Sequence, residues 1–139
     1  MADHIFGAEI LLSASAMSAV PVFIAPYSGY IERINMASRN APLADAGSTT
    51  VGNIEIRFKN ERSGSYLTNA QELVGNAALS AISCALIVAN LELRKGDVVS
   101  LNQRVSALSS PTEAGWTAIS FHLRENRYGG QITQSYQTQ

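Results

Sequence analysis

The chain has 139 residues, 46% of them apolar and only 15% charged against a usual share of about 25%, which fits one domain with a substantial core and a neutral exterior. A formal net charge of -1 gives no basic footprint for phosphate backbones, so nucleic acid is not an expected partner. Ala and Ser occupy the space that charges usually fill, a composition suited to close packing against other proteins.

The first residues, MADHIFGAEILLSASAM, place Asp3 where a secretory signal needs a positive start and interrupt the apolar stretch with Glu9, so no such signal is expected. Within them GAEILLSAS is rich in strand formers. In AVPVFIAP, Val20, Val22 and Ile24 alternate with Pro21 and Phe23, and the proline predicts an edge strand or an irregular strand start. The turn formers at 26–29 then predict a hairpin into a strand at GYIERINMA. Residues 38–52 lack periodicity and hold many turn formers, the pattern of a long loop.

NIEIRFK sets Ile54, Ile56 and Phe58 against Asn53, Glu55, Arg57 and Lys59, the period of two of a strand with one buried face. Glu61, Arg62, Ser63 and Gly64 follow as a solvated turn. In the segment 68–93, Thr68 and Gln71 stand at capping-box spacing, yet Gly75, Asn76 and the β-branched residues weaken a continuous helix. A loop or short helix is expected there, followed by a buried strand at ALIVANLEL. The apolar region 73–93 also carries Gly75, Asn76, Ser80, Ser83, Asn90 and Glu92, too many polar groups for the roughly 20 residues that cross hydrocarbon, and no membrane span is expected.

Cys84, the single cysteine, lies among small and apolar neighbours and reads as a buried, reduced thiol. The tripeptide Lys95, Gly96, Asp97 has the form of an adhesion motif. A tight turn is the better reading, with glycine supplying a positive φ and aspartate capping backbone N–H groups. DVVSLNQRVS reads as another strand, and TAISFHLRE as one that turns Ile119, Phe121 and Leu123 inward and Ser120, His122 and Arg124 outward. Residues 129–139, opened by Gly129 and Gly130 and anchored only by Ile132 and Tyr136, have the composition of an arm. The expected organisation is therefore all-β, a sandwich or barrel over 1–128 with a long loop and a polar C-terminal arm.

Chemistry is sparse. His4 and His122 are the only histidines, and no Cys, His or carboxylate set has metal-ligand spacing. No nucleophile elbow or phosphate loop occurs; GSTTVG shares only its end glycines with the latter and lacks its lysine. No catalytic residue, cofactor or metal is expected, which leaves a metal-dependent barrel enzyme of the cupin kind without its ligands. Long loops and termini are free to reach neighbours, so an interface is expected at the 26–30 turn with Pro26, Tyr27 and Tyr30, at the 39–47 loop with Arg39, Asn40 and Leu43, and at Tyr128, Ile132 and Tyr136 toward the end.

The order VFIAPYSGYIERINM, a turn-rich loop, VGNIEIRFKN, a small-residue segment, ANLELRKGDVVSL and a final WTAISFHLRE resembles the small jelly-roll decoration or cement proteins of tailed bacteriophage capsids, over about residues 20–124. The residues that carry it are Ser28, Gly29, Ile31 and Ile34 in an early strand and Leu93, Gly96, Asp97, Val99 and Leu101 around a late turn. Residues 65–76 and the Gln-rich tail have no counterpart in that pattern. The resemblance implies a single jelly-roll-like antiparallel β-sandwich on the outer surface of a virion. Such a protein binds the major capsid protein, associates with itself as a homotrimer or alternatively a homodimer, and does no catalysis. Another virion component of similar fold, a tail, fibre or receptor-binding module, is the alternative, with Tyr27, Tyr30, Tyr66 and Trp116 as its contacts.

Overall fold

Side chains that alternate with period two give a strand one apolar face, and strands of this kind find a core only by stacking in two layers. The structure, a computed structural model, describes residues 3–13, 15–40, 53–73, 77–106 and 114–125. Its strands are β1 (Asp3–Leu12), β2 (Met17–Ile24), β3 (Gly29–Ser38), β4 (Asn53–Asn60), β5 (Ser65–Tyr66), β6 (Gln71–Glu72), β7 (Ile82–Ser83), β8 (Glu92–Leu93), β9 (Val98–Ser106) and β10 (Gly115–Glu125). One sheet runs β1-β10-β3-β7 with β8 also on β3; the other runs β2-β9-β4-β5 with β6 also on β4. Every pairing is antiparallel. The chain is an all-β sandwich whose first four strands alternate between the layers, an order consistent with a jelly roll.

Between the layers lie Leu12, Ile31, Ile34, Met36, Ile119, Phe121 and Leu123 from the first sheet and Phe23, Ile54, Ile56, Phe58, Val99 and Leu101 from the second. Phe121 crosses the gap, stacked on Phe23 at 4.9 Å between ring centres and edge-on to Phe58 at 5.6 Å. The alternations expected in NIEIRFK and TAISFHLRE are both present, with Ile54, Ile56, Phe58, Ile119, Phe121 and Leu123 buried.

Four expectations need correction. The 26–29 turn does not close a hairpin: among the described residues β2 pairs only with β9, and β3 pairs with β10, β7 and β8 in the opposite sheet. Phe23 and Ile31 thereby enter the core from opposite sides, which a hairpin within one sheet would forbid. The faces of β2 also differ from simple alternation: Phe23 is buried, Ile24 is exposed, and Val20 and Val22 are half-buried. Ala19 at φ 52 and register shifts on either side of Val20 and Pro21 reset the phase of this strand. Its edge position agrees with the proline.

The third concerns residues 68–93. No strand covers ALIVANLEL as a whole; a 3-10 turn spans Val88–Asn90, Val88 is 85% exposed, and only Glu92–Leu93 forms a rung. Thr68 caps no helix: its Oγ1 accepts the Phe58 N–H at 3.1 Å while its backbone bridges to Leu86. The segment laces one side of the sandwich instead. Leu67 N–H donates to Phe58 O at 2.7 Å, Leu73 N–H to Ile54 O at 2.8 Å, Ile87 N–H to Leu67 O at 2.8 Å and Cys84 N–H to Ile34 O at 2.9 Å. The far edges of β3 and β4 are thus covered, while β1 and β2 form the opposite side. Ser38 belongs to β3, so the expected loop starts later; 41–52 and the arm at 129–139 lie outside the described residues.

Gly29 sits where a Cβ would stand 2.1 Å from the Arg124 carbonyl oxygen, so strand pairing there tolerates only glycine. Gly96, at φ +90, makes the turn of the charged tripeptide and donates its N–H to Ala25 O at 2.8 Å. Asp97 is buried and accepts from Arg94 N–H at 2.9 Å, Asn60 Nδ2 at 2.9 Å and Arg62 Nε at 2.7 Å. An aspartate held in this way is not displayed for adhesion. Burial alone would raise its carboxyl, but the bonds from Arg62, Arg94 and Asn60 and the Arg62 charge outweigh it and hold the carboxyl below its ordinary 3.8.

Asp97→Ala strands those donors and is expected to cost about 2 kcal/mol in denaturant unfolding. The folded carboxyl is depressed, so its contribution is complete above the ordinary value of 3.8 and is lost as pH falls through the lowered one. Stability measured against acid pH should fall over that window in the native chain and lose that component in Asp97→Asn.

Candidate functional site

The two outer faces of the sandwich differ in kind. On the second sheet, Glu55, Arg57 and Lys59 of β4 stand beside Asn102 and Arg104 of β9. Arg104 Nε pairs with Glu55 at 2.9 Å, and the Arg57 guanidinium lies 4.8 Å over the Tyr66 ring with Lys59 at 5.8 Å. This surface is charged, and several of its groups satisfy one another. Tyr66, under two cations, is not a bare platform for a ligand.

The first sheet turns the other parity outward. Register sets Leu11 beside Trp116, Glu9 beside Ala118 and Ala37, Gly7 beside Ser120 and Asn35, and Ile5 beside His122 and Arg33. The middle of the face is a shallow trough floored by Gly7, Ala37, Ala118 and Ser120. Large apolar groups stand around it in water: Ile5 is 66% exposed, Leu11 48%, Trp116 54% and Leu79 78%. Leu79 is held at φ 59, a left-handed conformation that opposes a leucine, while its N–H donates to Ser38 O at 2.8 Å. Neither strain nor exposure at Leu79 serves the core. These exposed apolar groups, with Glu9 and Arg39 among them, make this side of the first sheet the candidate site.

Of the residues expected at an interface, Arg39 lines the trough end with Leu79 and Trp116 and fixes its backbone by donating to Trp116 O at 2.8 Å. Asn40, exposed beside it, donates its N–H to Ala114 O at 3.0 Å. Tyr30, 40% exposed, lies at the opposite end of β3, opposite Arg124. Pro26 is exposed. Tyr27 is half-buried, with its hydroxyl 2.6 Å from His4 Nδ1 and donating to Leu123 O at 3.3 Å, so that ring serves packing. Leu43, Tyr128, Ile132 and Tyr136, like GSTTVG, lie outside the described residues. Loop reasoning thus reached two ends of the face and missed its body. The signal was present in DHIFGAEILL, where Ile5 and Leu11 are apolar on the parity opposite to Phe6, Ile10 and Leu12.

Among the described residues no group of three or more His, Cys, Asp or Glu is placed to hold a metal ion, and no helix is long and apolar enough to cross a membrane. Cys84 is buried behind β3, and burial pushes its thiol up to about 12. No protein-family model, curated protein or solved structure matches the chain.

The thiol assignment has a direct check. Ellman's reagent at neutral pH should leave Cys84 unmodified in the folded protein and titrate one thiol per chain in denaturant; rapid reaction in the folded state would show that the site is open.

Proposed function

We propose that this chain is a structural virion protein that binds the outer surface of a tailed-phage capsid and clamps neighbouring copies of the major capsid protein. The observation that carries the reading is the trough face, where Ile5, Leu11, Leu79 and Trp116 stand in water outside the core. The order of motifs from 20 to 124, with Gly29 and the 93–97 turn now given mechanical roles, supports the same reading.

A clamp requires rigidity and several contacts. The laced sandwich supplies the first, and repeated apolar patches on associated copies supply the second through effective concentration. Each apolar Å² withdrawn from water contributes about 25 cal/mol. A protein that binds only the expanded lattice stabilises it by mass action, and the shell resists the pressure of packaged DNA. No step in this role needs a nucleophile, a base or a metal.

Quantitative mass spectrometry of purified heads tests the reading: copies in a simple ratio to the major capsid protein are expected, and a handful or none per particle would overturn it in favour of a tail or receptor-binding component. The face is tested separately by Trp116→Glu. With the fold verified by thermal unfolding, capsid affinity is expected to fall by about tenfold or more, the loss of one exposed aromatic contact. Unchanged affinity would move the docking surface elsewhere.

A further inference from the structure

The two strands that border the open side of the sandwich are built differently. β2, the edge of the second sheet, carries Pro21, two register shifts and a left-handed Ala19, devices that twist an edge away from further pairing. β1, the edge of the first sheet, has none of them. Its ten residues run against β10 without a shift, from Asp3 opposite Arg124 to Leu12 opposite Gly115. It contains no proline, lysine or arginine. Among the described residues no strand lies on its other side. Alternate N–H and C=O groups along a straight strand of about 33 Å are therefore presented to whatever approaches.

We infer that β1 is a pairing edge whose partner is β1 of a second copy, joined antiparallel about a two-fold axis at Ala8. The register follows from side chains. A two-fold axis normal to the sheet keeps the core face of each copy on the same side, so residues of equal parity must oppose one another. An axis at Gly7 sets Ile5 against Glu9, and an axis at Glu9 sets two carboxylates against each other. An axis at Ala8 sets Ile5 against Leu11 twice over, covering two of the exposed aliphatics of the monomer, and sets Phe6 against Ile10 on the core side. Glu9 then faces Gly7, where an added Cβ would meet nothing within 4 Å. Main-chain bonds supply affinity in such strand addition, and the Ile5 and Leu11 pairs supply register.

One consequence is geometric. Both outer faces stay on the same side of the joined sheet, so the two troughs form one surface with Trp116 and Leu79 toward its two ends. This pairing stands apart from the capsid reading: a free protein that dimerises through β1 and binds no capsid would sink only the latter.

Sedimentation of the purified chain at micromolar concentration is expected to show a dimer, and Ile5→Lys, at a site already in water, is expected to return it to a monomer that still unfolds cooperatively, less stable by what the association contributed. Register is read by mixing Ile5→Cys protein with Leu11→Cys protein and adding a short bis-maleimide, to which the buried Cys84 is inert. The mixture should give covalent dimers, and either variant alone should not, since identical positions lie about 20 Å apart along the paired strands. A wild-type monomer or trimer overturns the proposal, as does cross-linking within either variant alone that equals that of the mixture.

Discussion

Phe121 belongs to β10 of the first sheet, yet its ring lies flat on Phe23 and edge-on to Phe58 in the second. This aromatic contact joins β10, β2 and β4, strands far apart in sequence, and it holds the layers at the spacing that the aliphatics around it fill. Once the layers are locked, each strand has an inside and an outside, and the chemistry of each outer face follows from parity. Val99 and Leu101 face in, so outside Arg104 meets Glu55 and Asn102 stands beside Arg57. Ile119 and Phe121 face in, so Ala118 and Trp116 are left in water.

The ends of the sandwich are held by polar groups. Asp97 gathers Arg62, Asn60 and the Arg94 N–H, and Gly96 ties the same turn to Ala25 at the end of β2. A buried carboxylate with this many donors keeps loops from both sheets in one arrangement. Residues 65–73 and 77–93 do comparable work along one side with two-residue rungs and single backbone bonds. On the opposite side, among the described residues, no strand pairs with the outer edge of β1.

A neutral exterior, a small-residue trough and an unguarded edge belong together. A protein that works alone in solution guards its edges and scatters its exposed apolar groups. In this chain Ile5, Leu11, Leu79 and Trp116 share the outer side of the first sheet, while Ile24 and Val88 are exposed elsewhere. The contrast supports assembly over solitary function, and it is independent of any particular partner.

Local patterns in the amino-acid sequence were enough to specify the all-β class, the strands at 53–60, 98–106 and 115–125, the edge character of Pro21, the buried Cys84 and the turn at Gly96, because each rests on neighbours within a few residues. The alternation of Ile54, Ile56 and Phe58 needs no distant partner to be read. Which strands pair was not local: the Pro26 to Gly29 turn is as good a hairpin as a crossover until Phe23 and Ile31 are found entering one core from two layers. The buried look of ALIVANLEL failed for the same reason, since β3 and β4 already fill the core there and leave that segment only the rim. The trough was half legible, in the double parity of Ile5, Phe6, Ile10 and Leu11. That Trp116, Leu79, Ala37 and Gly7 share one surface was decided by tertiary structure alone, because four segments separated by tens of residues meet only when antiparallel register sets them side by side.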